Sequence, residues 1–207
     1  MCSTHFSITA ALHKHTLSMD NGKLIIISAP SGTGKSTIIG KLIKDASLKL
    51  EFSVSATTRS PRAGEVNGKD YYFLSVDDFK KGIENGEFAE YQEVYPGRFY
   101  GTLKKEIQRI NADGRNVILD IDVLGGINVK KMYGDKALSI FIMPPSLQTL
   151  RQRLLSRGTD NIEEIEKRLS KAEYEMSFAK EFDKCVTNDI LEKAVEETRK
   201  EIASFIG

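Results

Sequence analysis

The sequence predicts an α/β protein, with a parallel sheet flanked by helices and one β-rich insertion. Short apolar runs within Leu24–Ile27, Asn116–Ile121 and Ala137–Met143 alternate with longer segments whose apolar residues recur at helical spacing. Strands buried on both faces and joined by crossover helices read in this way. Between residues 53 and 101 the alternation gives way to short strands and turns, which reads as an inserted subdomain. A length of 207 residues fits one such domain.

Leu24–Ile27 is the first strand, and Lys35–Ala46 the first helix, with Ile38, Ile39, Leu42 and Ile43 on one face. Phe52–Ala56 reads as a strand, Thr57–Lys69 as a loop rich in Gly, Pro and Arg, and Tyr71–Phe73 as a short strand. Ser75 and Asp78 form a capping box for a helix reaching about Asn85. Glu87–Tyr100 alternates around the turn Tyr95-Pro96-Gly97-Arg98, as a hairpin does. Thr102 is placed to cap a helix that Gly114 ends. Asn116–Ile121 is a second core strand, followed by a helix through Met132, and Ala137–Met143 is a third. Pro144-Pro145-Ser146 opens a helix to Arg157, and a second helical stretch covers Ile162 to about Phe182. Lys184–Thr187 is a short strand, and Asp189 with Glu192 reads as a cap for the last helix. Residues 1–22 show no sustained period and read as a flexible N-terminal extension, with Met19 a candidate start.

Composition removes several kinds of chemistry. Lys and Arg outnumber Asp and Glu by 30 to 29, so bulk attraction to nucleic acid or membrane is not expected. No apolar run approaches a membrane span. The two cysteines, Cys2 and Cys185, have no metal-site spacing, and Cys185 reads as a buried core thiol. All three histidines precede residue 16, so histidine-based catalysis is closed to the folded domain. Lys, Arg, carboxylates, hydroxyls or a bound ion must do the work.

The segment Ala29-Pro30-Ser31-Gly32-Thr33-Gly34-Lys35-Ser36, followed by Thr37, joins the first strand to the first helix. It fits the phosphate-binding pattern GxxxxGK[ST], with Ala in place of the first Gly. A turn leading into a helix N-terminus aims N–H groups and the positive dipole end at an anion. Gly32 and Gly34 let the backbone close around phosphate. Lys35 is suited to neutralise the β- and γ-phosphates of a nucleotide, and the Ser36 hydroxyl to ligate Mg²⁺. Position 29 must then hold a backbone conformation that accepts a Cβ.

Other candidates are ambiguous on residues alone. Arg59 and Arg62 either fork onto one phosphate, with Tyr71 and Tyr100 adding hydroxyls, or form a solvated basic loop. Glu90 reads as a solvent-facing strand residue. Asp120 and Asp122 close a strand at its carboxyl end, where open parallel sheets bind ligands, and a polar pair ending a strand has the same spacing. Arg153, Arg157 and Arg168 are spaced as a charged helix face.

SAPSGTGKST, SATTRSPRAGEVNGKDYYF, FYGT, ILDID and RLLSRGTD follow one another in this order from Ser28 to Asp160. Together they resemble guanylate kinase, a nucleoside-monophosphate kinase with a P-loop NTPase-type sheet, over nearly the whole chain from Lys23. The resemblance implies a domain over 23–207, with core 23–52, 102–146 and 173–207, a GMP-binding subdomain 53–101 and a helical lid 147–172. It implies transfer of the ATP γ-phosphoryl group to GMP with Mg²⁺, in the cytoplasm. Ser55, Arg59, Arg62, Tyr71, Glu90, Tyr100, Thr102 and Asp122 match GMP-contacting positions. In that reading Arg59, Arg62, Tyr71 and Tyr100 hold the phosphate, Glu90 accepts from guanine N1–H and the 2-amino group, and Ser55 and Thr102 donate toward O6. Asp120 would support the Mg²⁺ that Ser36 binds. Arg153, Arg157 and Arg168 would reach the transferring group from the lid. Asn188 and Asp189 resemble the adenine-side loop, and for Asp189 a helix cap is equally compatible. Two other readings stay open: a non-catalytic interaction domain that keeps the GMP site, and a kinase for another small phosphate acceptor. Oligomeric state is undetermined by the sequence.

Overall fold

The computed structural model describes residues 22–156, 158 and 161–207. The expectations for the N-terminal extension, Met19, the histidines and Arg157 lie outside the described residues.

Five parallel strands form the central sheet in the order β2 (Leu50–Phe52), β7 (Asn116–Asp120), β1 (Leu24–Ser28), β8 (Ala137–Met143) and β9 (Lys184–Thr187). Every residue of β1 is buried, which is why it reads as an unbroken apolar run. On one face, α1 (Lys35–Leu42) and α7 (Leu191–Ile206) cover Ile25, Ile27, Ile118, Ile140 and Ile142. On the other, α3 (Lys104–Ala112) and α4 (Val123–Tyr133) cover Leu24, Ile26, Val117 and Leu119. Each fully buried Ile or Leu contributes about 1.5–3 kcal/mol, so the strand ends that carry the site rest on the best-packed part of the molecule.

The insertion forms a separate four-stranded mixed sheet in the order β4 (Tyr72–Phe73), β3 (Ala56–Thr57), β6 (Arg98–Leu103) and β5 (Phe88–Tyr95). Helix α2 (Val76–Glu84) packs Phe79 against Phe88 and Phe99, with ring centroids 4.2 and 5.3 Å away. Helices α5 (Leu147–Ser156) and α6 (Ile162–Met176) pair through Leu150, Leu154, Ile165 and Ala172.

One buried carboxylate ties the second sheet to the first. Glu106 of α3 is 2% exposed and accepts from the Val54 N–H, the Tyr72 hydroxyl at 3.0 Å and Arg109 at 2.9 Å. Burial alone would raise its pKa, but these donors hold it below the ordinary value.

Five local expectations are corrected. Phe52–Ala56 is not one strand: Phe52 ends β2, Ala56 begins β3, and Ser53–Ser55 crosses between the sheets. Helix α1 stops at Leu42, and Asp45 caps a short 3-10 turn, Ala46–Leu48. Neither Thr102 nor Asp189 caps a helix; α3 and α7 begin after Leu103 and Ile190 without a side-chain cap. Cys185 is exposed because β9 is an edge strand on which only Val186 is buried. By contrast, Ser75 accepts from the Asp78 N–H at the start of α2 as its spacing predicts.

Candidate active site

Backbone geometry places the loop from Ala29 to Ser36 at the carboxyl ends of β1 and β7. Gly32 and Gly34 have φ of +93° and +94°, a region that a Cβ disfavours. Ala29 is not among the positive-φ residues, which is why Ala is accommodated where the motif has Gly. Gly34 is the N-cap of α1 and offers no side-chain cap, so the first N–H groups of the helix face the loop's concavity. A Cβ on Gly32 would lie 2.9 Å from Leu154 Cδ2, because α5 packs directly on the loop. Asn188 braces it from the other side, its amide donating to the Thr33 carbonyl at 2.6 Å.

Lys35 Nζ forms an ion pair with Asp120, the last residue of β7, and lies 3.5 Å from the Ile121 carbonyl. The loop, Asp120, Ile121, Asp122, Lys171 and Glu175 enclose a cavity of about 440 Å³. Of the side chains lining this cavity, the Ser36 hydroxyl and the Asp120, Asp122 and Glu175 carboxylates are oxygen donors of the kind a divalent cation takes. Among the described residues no group of three or more His, Cys, Asp or Glu could hold a metal by itself. That donor set fits Mg²⁺, which takes one or two protein ligands and fills its octahedron with nucleotide phosphates and water.

A second cavity of about 250 Å³ opens against the second sheet, lined by Ser55, Tyr71, Glu90, Tyr100 and Gln92 among others. It shares Asp120, Ile121, Asp122 and Lys171 with the first. Glu90 points inward from β5, and the Thr102 hydroxyl donates to its Oε1 at 2.6 Å. Desolvation pushes the Glu90 pKa up to about 7, against the Thr102 bond and with a smaller contribution from the Asp122 charge. Thr102 therefore holds Glu90, and its one proton is not available for another acceptor. Asp122 caps α4, its Oδ1 accepting from the Leu124 and Gly125 N–H groups at 2.9 and 3.1 Å. A Cβ on Gly125 would stand 3.0 Å from Glu90 Oε2 and 3.4 Å from Asp122 Oδ2, so glycine there makes room for both carboxylates.

Arg59 forks onto Glu65 with two bonds of 2.6 Å, and its guanidinium stands 4.9 Å from the Tyr71 ring centroid. That fork and the Arg62 N–H hold the Glu65 pKa down to about 2. Arg62 itself is exposed. Arg153 donates to the Asn188 carbonyl at 2.9 Å and lines a third cavity of about 320 Å³ with Gly32, Thr37, Asn188 and Asp189. Arg168 is half-buried on α6. Sequence reasoning did not single out Lys171 and Glu175, which line the phosphate cavity. Their only sequence signal is an i, i+4 charge pair on a helix, which is commonly a solvated face.

A family model described as guanylate kinase matches residues 21–204. The chain belongs to the guanylate kinase family. It is 56% identical over 185 residues to a protein named guanylate kinase from Porphyromonas gingivalis, covering 89% of this chain and 98% of that one. One from Salinibacter ruber is 46% identical over 189 residues, covering 91% and 100%. The crystal structure of guanylate kinase from Anaplasma phagocytophilum superposes with a TM-score of 0.69 at 33% identity, covering 89% of this chain and 86% of that one. The family's fold is therefore the one described above, a largely parallel P-loop sheet flanked by helices with a separate mixed sheet.

Proposed function

We propose that the chain catalyses ATP + GMP ⇌ ADP + GDP. One observation carries the reading most: a cradle for the phosphates of a nucleotide opens, through Asp120, Asp122 and Lys171, into a pocket with an inward carboxylate and neighbouring hydroxyls. Guanine presents two adjacent donors and a carbonyl. Glu90 would accept from N1–H and the 2-amino group, and Ser55 would donate toward O6. Adenine offers no matching pair of donors on that edge, and an unpaired buried carboxylate costs about 1–3 kcal/mol.

In this reading residues 53–101 bind GMP and 147–172 form a lid. Arg59 would exchange Glu65 for the GMP phosphate, joined by Arg62 and the Tyr71 and Tyr100 hydroxyls. Lys35 would turn from Asp120 to the ATP phosphates, where the Gly32–Gly34 backbone supplies further donors. Arg153, Asn188 and Asp189 would border the adenosine, and Arg168 the transferring group. When bound by Ser36, with Asp120 behind it, Mg²⁺ would neutralise charge on the β- and γ-phosphates. The acceptor phosphate oxygen is already a nucleophile, so no general base is required. A protein handling these nucleotides would work in the cytoplasm, and among the described residues no helix is long and apolar enough to cross a membrane.

ADP release from Mg·ATP with GMP, AMP, UMP and dTMP as acceptors tests the reading. Turnover with GMP far above the others is expected. Turnover only with another acceptor would overturn the guanine assignment, and none with any would leave a binding domain.

A further inference from the structure

Among the described residues, Lys171 is the one lysine that lines both the phosphate-loop cavity and the acceptor cavity. Its ammonium stands 3.6 Å from Glu175 Oε1, one turn further along α6. Glu175 is close enough to Lys35 and Asp122 for their charges to act on it, so this face of α6 looks onto the place where the two cavities meet. Arg168, one turn before Lys171, lies on the same face. The helix is anchored behind them by Ile165 and Ala172, packed on Leu150 and Leu154 of α5.

We propose that Lys171 is a catalytic cation of phosphoryl transfer, touching the transferring group from the side opposite the loop lysine, with Glu175 holding it in place. The assignment rests on the phosphotransferase reading above. In that step an oxygen of the acceptor phosphate forms a bond to the γ-phosphorus, and the bond to the β,γ-bridging oxygen breaks. The electron pair stays on ADP, and no proton or redox partner is needed. Negative charge develops across the junction of the two cavities, and a cation fixed there is worth more in the transition state than to either nucleotide alone. The Lys171 side chain is 69% exposed, which leaves its ammonium room for a phosphoryl contact beside the one it keeps with Glu175.

The test compares the full chain with Lys171→Ala, Lys171→Gln and Lys171→Arg, measuring kcat and both KM values. Lys171→Ala and Lys171→Gln are expected to lower kcat by about 10- to 100-fold, with KM for GMP and ATP changing less than about threefold. Lys171→Arg should recover most of the loss, because the charge is kept. A purely structural role would lower thermal stability in Lys171→Ala without this kcat-specific loss, and that result rejects the assignment. So does a kcat within twofold of the parent, a rise confined to KM, or an arginine variant as slow as alanine. If the unsubstituted chain transfers phosphoryl to no acceptor, the phosphotransferase reading itself fails and Lys171 falls with it. An active parent with unaffected variants rejects Lys171 alone.

Discussion

Around the phosphate cavity one unbroken stretch, Ala29 to Thr37, supplies most of the lining, whereas the acceptor cavity draws Ser55, Tyr71, Glu90, Tyr100 and Asp122 from separate segments. The supports differ as well. The loop hangs from β1, which is buried throughout, while β5 carries Glu90 on a strand exposed over most of its length. In the proposed reading, phosphate binding would use backbone N–H groups and one lysine, which accept any polyphosphate. Selection of the base would fall to the desolvated Glu90 carboxylate, which Thr102 bonds and Gly125 leaves room for. Damage to the loop should therefore slow every acceptor alike, and damage to the second sheet should change which acceptor is chosen.

The largest effect is expected at the loop. Lys35→Ala should lower kcat with every acceptor by about 10²–10³-fold while the chain stays folded and still binds GMP. A loss confined to one acceptor would blur the division between the two regions. Next, Glu90→Gln should cut the preference for GMP over AMP in kcat/KM by about 10- to 100-fold. Because the Glu90 pKa is raised from 4.5 to about 7, folding is favoured below pH 4.5 and that advantage is lost as pH rises through 7. Melting curves between pH 5 and 8 should show this slope in the parent and a flatter one in Glu90→Gln.

Gly125→Ala sharpens the same point. Its methyl group would press on Glu90 and Asp122, so KM for GMP should rise by about tenfold with KM for ATP little changed. The smallest effect is expected at the join of the two sheets. Tyr72→Phe removes one donor to the buried Glu106 and should cost about 1 kcal/mol, read as a lowered Tm.

The same contrast explains what the sequence discloses. The phosphate loop is contiguous, and its strand and helix have clean periods, so Lys35, Ser36 and the glycines could be read without a structure. The strand order of the central sheet could not, since it rests on which buried runs meet in space. Glu90 looks solvent-facing in its strand because β5 has a register shift between Phe88 and Glu90. Phe88 and Ala89 are both buried, and that shift re-aims Glu90 into the cavity, which alternation cannot foretell. Thr102 shows the same kind of override: its hydroxyl is taken by Glu90 across the hairpin, so its helix-cap signal goes unused. For Glu90, Thr102 and Ser55 only the family resemblance pointed to guanine, and Lys171 was visible to neither reading.

The division between a general phosphate cradle and one selecting carboxylate is tested most directly by proton release on GMP binding. Calorimetry in buffers of different ionisation enthalpy would measure it near pH 7 for the parent and Glu90→Gln. With its pKa raised to about 7, Glu90 retains a proton in part of the molecules at that pH and must ionise to accept guanine's donors, so the parent should release more protons than the variant. Equal proton release by the two would contradict the account and move base recognition away from Glu90.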